Sequence, residues 1–210
     1  MLTNEQIEQN KIRFLSLVET IDRDGMDKSM LLRQLKESDF FYAPASVSHH
    51  SSYPGGLCEH SLRVFDNLVK LVNDFYGDAD TNDSLRNTVK IISLFHDFSK
   101  MNYYTTEIKN KKVYSETGTK QDSSGRYDWV QVNGYYVKPA EERFGIGTPA
   151  ENSVYMINTF IPLTQMEYAA ILNHLEHDEV AVLSMWKKYP LSLLLHQADC
   201  IASFIQESYE

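Results

Sequence analysis

Cysteine is scarce: only Cys58 and Cys200 occur in 210 residues. That rules out a disulfide-stapled scaffold and suits a reducing compartment, where a buried thiol behaves as a small hydrophobe. No apolar run approaches the ~18 residues a membrane-spanning helix needs, so no membrane partner is expected. The first residues, Met1-Leu2-Thr3-Asn4-Glu5, lack the basic and apolar regions of a signal peptide, and a cytoplasmic chain is expected. Positive charge is in deficit, with 20 Lys and Arg against 29 Asp and Glu for a net charge of -9. Such a balance disfavours a broad phosphate-tracking surface and makes nucleic acid the weaker expectation among partners. Small phosphorylated ligands remain allowed, because a metal and a few placed cations can hold one nucleotide inside an acidic protein. There is no Walker-type phosphate loop, no Gly-x-Ser-x-Gly elbow, no internal repeat and no low-complexity segment.

What is present is a globular composition, 42% hydrophobic and 12% aromatic, at a length that supports one sizeable core. A single domain over 1–210 is expected. Helical spacing of apolar residues predicts packing helices over 4–22 and 28–37, within an N-terminal section 1–40. A polar loop through His49, His50, Ser51, Ser52 and Pro54-Gly55-Gly56 then leads to a helix over about 57–76. Residues 77–83 read as a linker that caps a helix over about 84–99.

Between Met101 and about Gly147 the helical period vanishes and short β-prone runs replace it. Asn133-Gly134 supplies a hairpin-type turn, so a β-hairpin insertion is expected around 103–138, inside a section 101–148. Helical patterning resumes over about 150–160, 164–177, 179–188 and 190–207, with Pro162 and Pro190 at boundaries. The expected fold is mostly α with one small β element.

Four polar residues interrupt apolar helical stripes where a hydrophobe normally sits. His60 shares a face with Leu57, Val64 and Leu68; His96 with Leu85, Val89 and Ile92; Asp199 with Leu195 and Ala202; and Asp97 adjoins His96. A core-facing carboxylate needs a partner, because burying it alone is costly. Two imidazoles and two carboxylates form a ligand set for one divalent metal, and a shared ion would satisfy all four groups.

In this order, His60, then His96-Asp97, then Asp199, the chain resembles the HD-domain superfamily of metal-dependent phosphohydrolases. Gly55-Gly56-Leu57-Cys58-Glu59-His60 reads like the Gly-Gly-Leu-x-Glu-His entry to the first ligand helix of several such families. His96-Asp97-Phe98-Ser99-Lys100 looks like the His-Asp-x-x-Lys form of the second motif, and His196-Gln197-Ala198-Asp199 like the closing His-x-Ala-Asp. The resemblance spans about 40–207 and implies an HD-like helical bundle, with two metal motifs in 41–100 and the last ligand in 149–210. It is closest to small single-domain phage and bacterial HD hydrolases.

The resemblance further implies hydrolysis of a phosphomonoester or phosphodiester, commonly of a nucleotide, with one divalent ion (Mn, Fe, Co, Ni, Mg or Zn) held by His60, His96, Asp97 and Asp199. Asp97 is expected both to ligate and to orient the attacking water. His174 falls where related proteins place a further site-facing histidine, for a second metal or for the phosphate. Relatives often carry another histidine in a Gly-His-Gly-Glu segment, whereas this chain reads Phe144-Gly145-Ile146-Gly147, so one metal is expected rather than two. Lys100 is a candidate to meet a phosphate oxygen and offset developing charge. His49 and His50 are candidates to donate to phosphate. Two other readings stay open: a nuclease acting on single-stranded ends, and a non-catalytic module that binds a metal, a nucleotide or a partner protein.

Overall fold

Five helices begin where a short polar side chain accepts an otherwise orphaned first-turn N–H: Thr3 from Gln6, Asp27 from Met30, Asn82 from Leu85, Thr148 from Glu151 and Thr164 from Glu167. The computed structural model describes residues 1–77, 82–174 and 179–207. In order these form α1 (Asn4–Glu19), α2 (Lys28–Glu37), α3 (Gly56–Tyr76), α4 (Asp83–Phe95), β1 (Tyr104–Tyr114), β2 (Lys120–Asp122), β3 (Gly125–Val137), α5 (Pro149–Asn158), α6 (Gln165–Leu172), α7 (Glu179–Lys188) and α8 (Pro190–Cys200). Short 3₁₀ turns lie at Phe98–Lys100 and Ala140–Glu142, and a π-helix over Ile201–Gln206 continues α8. The chain is mostly α with a small antiparallel sheet, and no helix among the described residues is long and apolar enough to cross a membrane.

The core is the packed apolar face of α1, α3, α4, α5, α6 and α8. Its floor is aromatic. Phe14 lies 4.9 Å from Phe40 and 5.8 Å from both Phe41 and Phe95, and Phe95 meets Phe98 edge-on at 5.4 Å. His96 and Asp97 stand between those last two phenylalanines in sequence, so the chain that carries them is anchored in this cluster on both sides. Elsewhere one buried carboxylate, Glu167, is satisfied by Arg23 at 3.1 Å, by Thr88 Oγ1 at 2.8 Å and by the Thr164 N–H at 2.8 Å, tying α6 to α4 and to the segment after α1.

Several elements depart from the sequence expectation. Helix α1 stops at Glu19, where Thr20 turns its hydroxyl onto Leu17 O. The second motif does not lie inside a helix running to 99: α4 ends at Phe95, His96 is its C-cap, and Asp97 leaves helical geometry at φ -104° and ψ 22°. An unbroken helix holds consecutive side chains ~100° apart, so the break lets His96 and Asp97 aim at one point. Asn133-Gly134 is no turn. Both residues lie within β3, opposite Ile108 and Glu107, and the reversal falls at 122–125 between β2 and β3. A Cβ at Gly134 would meet the Lys109 side chain, which lies across this position of the strand. The insertion is therefore three-stranded, in the order β1-β3-β2. Helix α6 ends at Leu172 rather than 177, α8 gives way to the π-helix at Ile201, and residues 78–81 and 175–178 of the expected linker and helix lie outside the described residues.

The entry to α3 depends on two glycines. Gly55 has φ 85°, a left-handed conformation in which a side chain is strained, and a Cβ there would come 2.8 Å from Ile7. At Gly56 a Cβ would press into the Ser51 carbonyl oxygen, which is backbone and cannot rotate away. Gly56→Ala is expected to lower stability by roughly 2 kcal/mol or more, read as a lower urea midpoint with an unchanged slope. An unaltered midpoint contradicts this packing.

Candidate metal centre

Helix α3 carries His60 on its buried face, one turn after the glycine entry, and its ring is fully buried. The end of α4 brings His96 and Asp97 to it, and α8 brings Asp199. His60 Nε2 lies 3.2 Å from His96 Nε2, 3.3 Å from Asp199 Oδ1 and 3.6 Å from Asp97 Oδ2; His96 Nε2 is 3.5 Å from the same Asp97 oxygen. The four residues expected to ligate are thus brought together.

Hydrogen bonds at the far side of each ring set the tautomers. His60 Nδ1 meets Glu207 Oε1 at 3.1 Å, His96 Nδ1 meets Ser93 O at 2.8 Å, and His174 Nδ1 meets Ile171 O at 2.6 Å. Each acceptor holds a proton on Nδ1, which leaves Nε2 of His96 and of His174 as a lone pair; His60 meets a second carboxylate, Asp199, at Nε2 and carries a second proton there when no metal is bound. The Nε2 atoms of His60 and His96 face each other at 3.2 Å, a spacing that a cation bound to both in place of the His60 Nε2 proton would span. His174 Nε2 is buried without a hydrogen-bond partner among the described residues, its ring 5.1 Å from that of His96. With Nε2 free, it falls into one ligand group with His96 and Asp199.

This arrangement fits a divalent cation. Bonds of about 2.1 Å to such an ion place neighbouring ligand atoms ~3.0 Å apart at an octahedral edge and ~3.4 Å apart at a tetrahedral one, and the spacings here fall in or close to that range. Bare imidazole nitrogens and ionised carboxylates are also the donor chemistry such an ion requires. His174 extends the expected set as a further nitrogen donor.

The electrostatics point the same way. Burial opposes a charge on His60, yet Asp199 and Glu207 outweigh it and push the ring's pKa up to about 10. Burial works against the Asp97 carboxylate, but Lys100 and His96 hold it well below the usual range. Asp199 is likewise held down against burial, chiefly by His60. Three buried or largely buried carboxylates meet here, and among the described residues Lys100 and Arg63 offset them with permanent positive charge. Without a metal, a proton on His60 adds to these a positive charge at the middle of the cluster.

Lys100 Nζ sits 2.7 Å from Asp97 Oδ2. Burial opposes its charge, and Asp97 prevails to raise it to about 12. Its partner here is one of the carboxylates expected to ligate, so its ammonium is engaged with Asp97 rather than turned free into the centre. Of the two loop histidines, only His50 reaches the centre: its ring is 4.9 Å from that of His60 and its Nε2 is buried without a hydrogen-bond partner. His49 is exposed, with its backbone N–H on Ser46 Oγ, and belongs to none of the ligand groups formed by the described residues.

Sequence reasoning missed Glu207 and Ser51. Glu207 is 4% exposed and also accepts from Ser51 Oγ at 2.8 Å. Its signal was a carboxylate eight positions after Asp199, behind the apolar run Ile201-Ala202-Ser203-Phe204-Ile205. The cysteines stay out of the ligand set. Cys58 is buried in the core, and Cys200 Sγ lies 3.6 Å from His196 Nε2. A groove of about 770 Å³ opens between α1, α3 and α4, lined by Leu17, Phe65, Val69 and Lys90 among others, and shares no residue with the centre.

No family model matches this chain, and neither do curated proteins or solved structures at significance.

Stability against pH follows from the buried rings. Burial, reinforced by His60 for His50 and by His96 for His174, pulls both down to about 4. Unfolded, each takes a proton at about 6.5, so the fold loses stability as pH falls from there towards 4, by up to about 3 kcal/mol for a fully buried ring such as His174. His60 acts oppositely: its contribution is complete below about 6.5 and is lost as pH rises through about 10. Chelator-treated protein is therefore expected to show its highest urea midpoint near pH 6.5. His174→Asn, which keeps a donor for Ile171 O, is expected to flatten the acid limb; an unchanged acid limb contradicts this account.

Proposed function

We propose that this chain is a metal-dependent phosphohydrolase of the HD type, acting on a nucleotide or nucleotide-like phosphate ester. The observation that carries the reading is the convergence of His60 and His96, each with Nδ1 on a fixed acceptor and Nε2 turned to the centre, upon Asp97 and Asp199, in the order His, His-Asp, Asp along the chain. His60, His96, Asp97 and Asp199 would hold one divalent ion, with His174 as a further nitrogen donor.

Asp97 and Asp199 are weak general bases, because each is held ionised well below the ordinary carboxylate range. Their role is to ligate and orient. A divalent ion bound among them would supply Lewis acidity towards water and a phosphoryl oxygen. Lys100 keeps its positive charge across the physiological range and stands on Asp97, where it balances negative charge gathering on phosphoryl oxygens. His50 Nε2, buried beside His60 and unpaired, is a hydrogen-bonding position for a phosphate oxygen.

The test is metal analysis of purified protein together with a hydrolysis panel of nucleoside mono-, di- and triphosphates, cyclic nucleotides and short single strands, with Mn²⁺ added. Asp97→Ala is expected to cut turnover by at least about a hundredfold, and Lys100→Gln to cut it while leaving metal stoichiometry intact. Turnover on short strands alone would shift the substrate to nucleic acid. Stoichiometric metal with no turnover would favour a binding module, and turnover indifferent to Asp97→Ala would overturn the site.

A further inference from the structure

Glu207 closes the π-helix, and that helix is clamped to α3. Gln206 and Asn67 exchange side-chain amide hydrogen bonds at 3.1 Å in each direction, Asn67 Nδ2 also reaches Ala198 O at 3.3 Å, and Arg63 donates to Gln206 O at 3.2 Å. The clamp delivers the Glu207 carboxylate to His60 Nδ1, on the side of the ring opposite the one Asp199 meets. One imidazole is thereby held at both nitrogens by carboxylates from a single C-terminal segment.

The same carboxylate reaches the loop before α3. Ser51 Oγ donates to Glu207 Oε2 at 2.8 Å, and Ser51 is 1% exposed with φ 45°, a left-handed conformation that strains a serine. Its neighbour His50 lies against His60. Glu207 is not the anchor of a second cation, although it falls in a ligand group with His50 and His60. Its oxygens already face donors from His60 and Ser51, and the Arg63 guanidinium stands 3.8 Å away.

We propose that Glu207 is a positioning residue for the metal centre: it keeps the His60 proton on Nδ1, so that Nε2 is offered to a divalent cation, and through Ser51 it seats the loop that carries His50. The inference rests on the reading that His60, His96, Asp97 and Asp199 hold such a cation. Without Glu207, Nδ1 loses its acceptor. The proton the neutral ring keeps then sits best on Nε2, directed at Asp199 Oδ1 3.3 Å away, and it blocks the position a cation needs.

Zn²⁺ titration calorimetry on chelator-stripped full-length protein tests this, beside the His60 Nδ1–H proton resonance of the zinc-loaded protein. Glu207→Ala is expected to weaken Zn²⁺ binding by about 10- to 100-fold and to lose the hydrogen-bonded Nδ1–H signal. Glu207→Gln, whose Oε1 still accepts from Nδ1, is expected to keep the signal, shifted upfield, with a smaller loss of affinity. Ser51→Ala is expected to keep affinity within a few-fold of wild type while amide exchange across 46–53 accelerates. A folded Glu207→Ala or Glu207→Gln protein with wild-type affinity and an unmoved signal overturns the inference. Wild-type protein that binds neither Zn²⁺ nor Mn²⁺ overturns the metal-site reading itself, so the two failures are distinct.

Discussion

His60 is the imidazole on which the polar interior depends. Asp199 stands at one of its nitrogens and Glu207 at the other, Asp97 and His96 flank it, and the ring has no access to solvent. Burying carboxylates costs several kcal/mol each unless a cation and hydrogen bonds replace their water. The ring meets that demand by proton or, on the reading proposed above, by a metal that takes the proton's place. Loss of the central ring would leave buried anions facing one another, which is why so many separate elements are organised around it.

The apolar architecture supplies what this arrangement requires. Phe95 and Phe98, on either side of His96 and Asp97 in the chain, are buried in the aromatic cluster with Phe14, Phe40 and Phe41, and the burial of His60, His96 and Asp97 themselves strengthens the electrostatic interactions among them. Local irregularities then do the aiming. The Gly55-Gly56 entry lets the Ser51 carbonyl pack against the start of α3, the break after Phe95 turns Asp97 beside His96, and the π-helix after Cys200 brings Glu207 behind His60. Each departs from regular secondary structure at a point where a side chain must reach the same few cubic ångströms. Such departures cluster where function over-determines geometry.

Much of this was legible in the residues alone. The 3.6-residue apolar period marked the helices, because a half-buried helix must present one apolar stripe, and residues that break such a stripe, His60, His96 and Asp199, stood out against it. Local rules misled where tertiary pairing outweighs them. Asn133-Gly134 has the chemistry of a tight turn, but eleven cross-strand pairs between β1 and β3 keep it extended and place the reversal near Gly125. His49 and His50 were indistinguishable as neighbours in a loop. Only packing against His60 separated the buried one from the exposed one.

The sequence by itself determined a mostly helical chain, the identity of four polar groups forced into an apolar interior, and the chemistry those groups share, since composition and periodicity are properties of the order of residues. Tertiary structure decided which nitrogen of each imidazole meets a fixed acceptor, the placing of His174 beside His96, and the part played by Glu207. Those depend on what stands at the far nitrogen of each ring. For His60 that acceptor lies 147 positions away along the chain and 3.1 Å away in space.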